Sequence, residues 1–307
     1  MGKIKIAVIT FLILSAMPFP AAALQVQDFL QPGVDLGFSA QAYLVANRET
    51  GEVLLSKNSQ TPRVPASLTK LITLLTVLDT KPNLNKSVAI TVEDQSVGQC
   101  KNGGACLYTK AGVAYTIDGL FHASLIASAN NAASALARST GFTPAEFVEK
   151  MNQKAKDLGA QNSQFFEPTG MDPKNSSTAE DYAKITVAAF NLPYLKEIAQ
   201  KSSYRLVSSS NKRYIHNLKN TNQLVGVERI NVVGGKTGYL DESGYNFSSW
   251  LEDRFGGNFI VVLLGSKSAY AEFDETRKLL DLGGLAMAFR GSVLGTSTPL
   301  TLNFNNF

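Results

Sequence analysis

Apolar residues alternate or run through positions 38–46 and 53–56, on either side of the polar cluster Asn47-Arg48-Glu49-Thr50-Gly51. That spacing predicts a β-hairpin with a loop of about five residues. From Ser67 the period changes: Leu68, Leu71, Ile72, Leu75 and Leu78 recur at helical spacing, and Leu74 and Val77 fill the other side. A helix over 67–78 that is apolar almost all round belongs in the centre of a domain. Loops and short strands follow as far as Tyr115. Thr116 can then cap a helix reaching Leu125, and Thr143-Pro144-Ala145-Glu146 reads as a capping box with Pro at the first helical position. Gly159 closes that second helix, and Thr178 opens a third that Asn191 and Pro193 end. Strands return around 204–207, 213–216, 231–237, 245–251 and 259–265, with Gly256-Gly257 as a hairpin turn, and a helix over 270–287 follows.

Two strands, then helices, then more strands and a closing helix do not alternate as βαβ units would. The order predicts an α+β fold, an α/β/α sandwich whose antiparallel sheet is flanked by helices and interrupted by a mostly helical inserted subdomain. No internal repeat or long linker divides residues 24–290, and residues 291–307 read as a short, loose C-terminal tail.

The start of the chain changes the charge balance. Lys3 and Lys5 precede an apolar stretch over 6–17, Pro18 and Pro20 break it, and Ala21-Ala22-Ala23 offers small residues for cleavage. Residues 1–23 therefore read as a secretory signal peptide, since so short a stretch falls below the roughly twenty residues of a membrane span. No Cys follows it to take a lipid. The formal charge of +4 drops to +2 without those residues, which leaves no basic excess to suggest a nucleic-acid partner. With 44% hydrophobic and 18% charged residues the chain is an ordinary globular one.

An exported protein meets an oxidising compartment, so Cys100 and Cys106, which bracket Lys-Asn-Gly-Gly-Ala, are expected to pair in preference to two free thiols. Closing so short a loop stabilises by about 2–3 kcal/mol on the chain-entropy model. Two His and two Cys leave little for a multi-ligand metal site, and no metal or other cofactor is expected.

Three short segments can carry chemistry: Ser67-Leu68-Thr69-Lys70, Ser128-Ala129-Asn130 and Lys236-Thr237-Gly238. A serine hydroxyl is a poor nucleophile without a base. At i and i+3 on a helix, Lys70 lies on the same face as Ser67, and the helix N-terminus favours negative charge at the serine. An ordinary Lys is neutral only about once in 2,500 at pH 7, so Lys70 needs burial and a neighbouring cation to serve as the base. The apolar helix offers the burial and Lys236 the cation. Ser128 can relay a proton between Lys70 and a leaving amine, while the Asn130 amide can orient Lys70 and hold a substrate carbonyl. Lys236-Thr237-Gly238 ends an apolar strand, and an edge strand there would bind an extended peptide by strand addition. Gly238 leaves room for that approach, and Lys236 and Thr237 offer a cation and a hydroxyl to a carboxylate.

Each segment also has a plainer reading. Ser67 can simply cap its helix, Ser128 and Asn130 can cap a helix over 131–138, and Lys236-Thr237 can be an exposed strand end. Ser209-Ser210-Asn211-Lys212 repeats the Ser-x-x-Lys spacing but sits in a polar turn. His122 and His216 read as structural, and Glu167 as a residue that orients a loop.

The three segments in this order are the signature of penicillin-binding proteins and serine β-lactamases. The wider text, Pro65-Ala66-Ser67-Leu68-Thr69-Lys70, Ile126-Ala127-Ser128-Ala129-Asn130-Asn131-Ala132-Ala133, Glu167-Pro168-Thr169-Gly170-Met171 with Ser177-Thr178-Ala179, and Gly235-Lys236-Thr237-Gly238-Tyr239, resembles the low-molecular-mass D-alanyl-D-alanine carboxypeptidase family. The resemblance spans residues 40–284. It implies the β-lactamase/transpeptidase-like fold and a Ser67 that attacks a D-Ala carbonyl to form an acyl-enzyme, with Lys70 as general base. It further implies an oxyanion hole from the N–H groups of Ser67 and Tyr239, substrate carboxylate on Thr237, and a local field shaped by Lys236. The implied partners are peptidoglycan stem peptides ending in D-Ala-D-Ala, with β-lactams as covalent inhibitors.

The stretch after Arg290 holds no basic amphipathic helix, so no stable membrane anchor is expected and the enzyme is placed in the periplasm or elsewhere outside the cytoplasm. The motifs do not separate a carboxypeptidase from an endopeptidase that cuts cross-links. A β-lactamase and a non-catalytic wall-binding module are the remaining alternatives. The first is disfavoured because no Glu-x-x-Leu-Asn segment occurs to position a water.

Overall fold

A computed structural model describes residues 36–290 and 300–304. The expected signal peptide and most of the expected tail lie outside the described residues. Strands β1 (Ala42–Asn47) and β2 (Val53–Lys57) form the expected hairpin. Asn47 makes its turn: the side-chain oxygen accepts from Glu49 N at 2.8 Å and Thr50 N at 3.0 Å, the local bonding that suits Asn to a loop start.

A short 3-10 turn (Ala66–Leu68) leads into α1 (Thr69–Asp79), in which every residue from Thr69 to Val77 is buried. The inserted subdomain then unfolds in order. β3 (Ser87–Ala89), α2 (Val92–Val97) and β4 (Ala114–Thr116) precede α3 (Ile117–Ile126), α4 (Asn130–Ser139) and α5 (Pro144–Asp157). α6 (Ala179–Asn191), α7 (Pro193–Ala199) and the hairpin of β5 (Ser203–Val207) with β6 (Ile215–Lys219) complete it. The caps read from the sequence are present: Thr116 accepts from Gly119 N, Thr143 and Glu146 form a full capping box, and Thr178 accepts from Asp181 N. The chain closes with β7 (Ile230–Leu240), β8 (Gly244–Asp253), β9 (Asn258–Ser266) and α8 (Ala269–Arg290).

The central sheet runs β2-β1-β9-β8-β7, antiparallel throughout, with β7 at one edge. Period-two alternation divides its side chains between two cores. Leu44, Ala46, Ile260 and Val262 face the cluster built by α1, α3, α4 and α6, while Tyr43, Val45, Phe247 and Val261 face Phe273, Leu279 and Leu280 of α8. A sheet covered on both faces needs apolar residues at both parities, which is why β9 reads Phe259-Ile260-Val261-Val262-Leu263-Leu264 without a break. The α/β/α layering expected from the sequence is the observed one.

Several elements depart from the sequence pattern. α2 carries no apolar stripe and starts on a Thr91–Asp94 capping box, in a stretch where the sequence suggests only loops and short strands. Pro193 does not merely stop α6 but occupies the first turn of α7, where its missing N–H is tolerated. β6 lies about two residues later than its pattern suggests, and β7 extends to Leu240. Part of the tail is not loose: Val53 N donates to Leu300 O and Leu302 N to Gly51 O, and Leu302 and Phe304 are buried.

Candidate active site

The turn that carries Ser67 is squeezed from two sides. Ala66 adopts φ +50°, a left-handed conformation uncommon outside glycine. A Cβ on Gly238 would stand 2.9 Å from Pro65 O and 3.0 Å from Ser67 N, and one on Gly170 would overlap the Ala66 carbonyl. The room that Gly238 leaves is thus used by the chain itself: edge strand β7 closes against the turn that carries Ser67. Pro65, Ala66, Leu68, Thr69 and Lys70 are buried, and Ser67 is half-exposed among them.

Lys70 is fully buried one turn below. Its Nζ donates to Asn130 Oδ1 at 2.6 Å and to Thr169 O at 2.6 Å, and stands 2.8 Å from Ser67 Oγ. A neutral amine has two N–H donors and one lone pair. Two carbonyl oxygens take the donors, which leaves the lone pair for the Ser67 hydroxyl. Burial first, and the Lys236 charge second, hold the amine well below the usual lysine value, while Glu167 pulls the other way.

Glu167 does orient a loop. Its carboxylate accepts from Thr169 N at 2.6 Å, Thr169 Oγ1 at 2.5 Å, Gly170 N at 2.5 Å and Asn175 Nδ2 at 2.9 Å. Those bonds fix the Thr169 carbonyl over Lys70.

Ser128 sits between α3 and α4 at φ +58°, a strained setting of the kind that collects at functional sites. Lys236 Nζ donates to Ser128 Oγ at 2.8 Å and to Thr237 O at 2.8 Å. Neither Ser128 nor Asn130 caps a helix: α4 starts at Asn130 behind Ala129, with no side-chain cap. Thr237 Oγ1 donates to Thr221 Oγ1 at 2.7 Å, and half-exposed Tyr239 stacks obliquely on Tyr245 with centroids 4.4 Å apart. Ser67, Ser128, Asn130, Thr237, Gly238 and Tyr239 line one cleft of about 670 Å³, with Lys70 and Lys236 buried beneath it. All eight residues singled out in the sequence converge.

The cleft also contains groups with no sequence signal. Glu272 of α8 lines it, 2% exposed, with Oε1 buried and unpartnered. Burial pushes its carboxyl up to about 9 against the opposing Lys236 charge, and burial brings Lys236 down to about 7 against the opposing Glu272. The histidines lie elsewhere: His122 stacks on Tyr204 at 3.8 Å and His216 Nε2 is 2.8 Å from the Tyr115 hydroxyl. Ser209 Oγ accepts a hydrogen bond from Ser87 Oγ of β3 at 2.8 Å. Cys100 and Cys106 form the expected disulfide. Among the described residues no group of three or more His, Cys, Asp or Glu is placed to hold a metal, and no helix is long and apolar enough to cross a membrane.

Residues 30–268 match the family model described as D-alanyl-D-alanine carboxypeptidase. The chain belongs to that family. It is 35% identical over 250 residues to a D-alanyl-D-alanine endopeptidase of Haemophilus influenzae, covering 81% of this chain and 83% of that protein. It is 29% identical over 256 residues to D-alanyl-D-alanine carboxypeptidase DacF of Bacillus subtilis, across 80% of this chain and 62% of the relative. The Streptomyces K15 DD-transpeptidase superposes with a TM-score of 0.73 at 27% identity, covering 81% of this chain and 98% of that one. The fold is accordingly that of the penicillin-binding DD-peptidases, and family membership makes the chain a DD-peptidase hydrolase. Carboxypeptidase, endopeptidase and transpeptidase names all occur among its relatives.

Proposed function

We propose that the protein is an exported serine-type D-Ala-D-Ala carboxypeptidase that acts on peptidoglycan stem peptides through an acyl-enzyme on Ser67. The observation that carries this reading is the bonding of Lys70, whose Nζ donates to two carbonyl oxygens and meets Ser67 Oγ at 2.8 Å with its remaining position. Lys70 takes the Ser67 proton as Oγ attacks the carbonyl of the penultimate D-Ala. The N–H groups of Ser67 and Tyr239 receive the oxyanion, where one donor contributes about 3–4 kcal/mol. The Lys70 proton passes through Ser128 to the leaving amine, free D-Ala departs, and water resolves the ester. Lys236 assists by holding Ser128 with a positive charge. Thr237 binds the substrate carboxylate, and the β7 edge pairs with the extended peptide, Gly238 keeping that edge close to Ser67.

A β-lactam presents the same carbonyl-plus-carboxylate arrangement, so β-lactams are expected to acylate Ser67 covalently. Fast β-lactam hydrolysis is disfavoured because the Glu167 carboxylate is already occupied by loop N–H groups. A non-catalytic binding module would have no use for a buried amine aimed at a hydroxyl. Export rests on residues 1–23 and the site of action on the location of peptidoglycan.

A second reading, DD-endopeptidase action on cross-links, is favoured by the Haemophilus influenzae relative, which carries that name and is matched over 83% of its length. Incubation with purified muropeptides separates the two. Release of free D-Ala from pentapeptide monomers supports the carboxypeptidase, loss of cross-linked dimers the endopeptidase, and no cleavage of either would refute both.

A further inference from the structure

The segment over 98–107, between α2 and β4, buries only Gly98 and Leu107 and is held by backbone bonds such as Cys100 N to Gln95 O at 3.0 Å and Gly104 N to Gln99 O at 3.1 Å. Asn102, Gly103 and Ala105 are exposed, so no apolar core covers the outer side of the segment. Yet this segment forms one wall of the cleft. It also supplies the acceptors that fix Asn130. The Asn130 backbone N donates to Ala105 O at 2.6 Å, and its side-chain Nδ2 donates to Gly98 O at 3.0 Å. The two ends of an Asn amide are interchangeable in shape but opposite in hydrogen-bonding sense. An acceptor at Gly98 therefore decides which end faces Lys70: it holds Nδ2 away and leaves Oδ1 to receive the Lys70 N–H at 2.6 Å. Gly98 lies just before the ring closed by Cys100 and Cys106, and Ala105 lies within it. Gly104 is pressed between the two sides, so that a Cβ there would overlap the Gly98 carbonyl and stand 3.0 Å from Asn130 Nδ2.

We propose that the Cys100–Cys106 disulfide is a positioning element of the site, holding the Gly98 and Ala105 carbonyls against Asn130 and so setting the amide that orients Lys70. Where no apolar core fastens a segment, a cross-link can take its place. Asn131, which clamps Leu107 through N at 2.9 Å and O at 3.0 Å, anchors the far side of the ring. The inference rests on the catalytic reading of Lys70 and Asn130.

The test compares four proteins with a labelled penicillin: wild type, Cys100→Ala with Cys106→Ala, Asn130→Ala, and the triple variant. Loss of the disulfide should lower the first-order acylation constant ~10-fold or more, because small misplacements of catalytic groups are expensive, with non-covalent affinity changed less than ~3-fold. In the Asn130→Ala background the same loss should be less than ~3-fold, since residues acting through one another are non-additive. Equal losses in both backgrounds, or none in the double-cysteine variant, would overturn the inference. Should that variant misfold, phosphine reduction of folded wild type and reoxidation give the same comparison, with recovery of the rate expected on reoxidation and no change on reduction overturning it. A full acylation rate in Asn130→Ala alone would instead defeat the catalytic reading on which the inference stands.

Discussion

Lys70 Nζ stands 2.8 Å from Ser67 Oγ with its other polar contacts spent on two carbonyl oxygens, so the amine can accept a proton from that hydroxyl only while neutral. Ser67→Ala is expected to abolish covalent labelling by a penicillin. Lys70→Ala should slow acylation by orders of magnitude, because among the described residues no second base is bonded to Ser67 Oγ. Lys70→Arg should not restore it, since a guanidinium stays protonated. Labelling that persists in Ser67→Ala, or a Lys70→Ala rate within a few-fold of wild type, would reject the assignment.

The pH profile follows from two lysines with opposite duties. On the proposed mechanism Lys70 works as the neutral amine, so acylation should climb as pH rises through its lowered value. On the same mechanism Lys236 works as the cation, so the rate should decline as pH passes about 7, where burial has brought its own titration. The groups around Lys236 are Ser128, the Thr237 carbonyl, Glu272 and, through the field, Lys70. Lys236→Arg keeps the charge at all working pH values and should remove the alkaline decline. Lys236→Met should shift the rising limb to higher pH, because the like charge that depresses Lys70 is gone. Stopped-flow acylation across pH 5–10 reads both limbs, and an unchanged profile in Lys236→Arg would assign the decline to another group.

Gly238 gives a steric prediction. A Cβ there would lie 2.9 Å from Pro65 O and 3.0 Å from Ser67 N, closer than side-chain carbons normally approach backbone. Gly238→Ala should therefore push β7 away from Ser67 and lower acylation ~10-fold or more, by misplacing the groups on either side of the attacked carbonyl. The fold itself should survive, since β7 remains paired to β8 over its length. Circular dichroism and the acylation rate together decide it, and a variant with normal rate would show that the contact does not position the strand.

Much of this site was written in local patterns. Ser67 and Lys70 stand out because an i, i+3 pair opens a helix whose other positions are apolar, and Thr143 and Thr178 announce helices because capping is settled within three residues. What escaped the sequence is made by tertiary contact. The acceptor from Thr169 is a backbone carbonyl, which no residue type marks. Leu302 and Phe304 look like any apolar residues in a tail, and only docking beside β2 buries them. Glu272 stands one turn from Glu275 on its helix, a pair of acids whose burial no residue type announces, and the fold buries both, Glu272 beside Lys236.

That buried carboxyl yields a stability prediction. Its folded value of about 9 lies far above the unfolded value of about 4.3 for Glu. A group raised in this way contributes fully below the unfolded value, and its contribution is lost as pH rises through the folded one. Wild type should therefore lose stability between pH 5 and 9 on account of Glu272. Lys236, lowered to about 7, contributes with the opposite sign at the upper end of that window, and without the Glu272 charge that opposes its burial it is lowered further in the variant. Glu272→Gln cannot ionise and fills the same space, so the difference between variant and wild type reads the carboxyl together with the further lowering of Lys236, and both raise the variant relative to wild type as pH rises. The Tm of the variant relative to wild type should increase with pH and exceed it by at least ~2 °C at pH 9, the shift expected for about 1 kcal/mol in a domain of this size. A Tm difference that stays flat from pH 5 to 9 would mean that Glu272 ionises in the fold as readily as in the unfolded chain, and that burial beside Lys236 does not govern it.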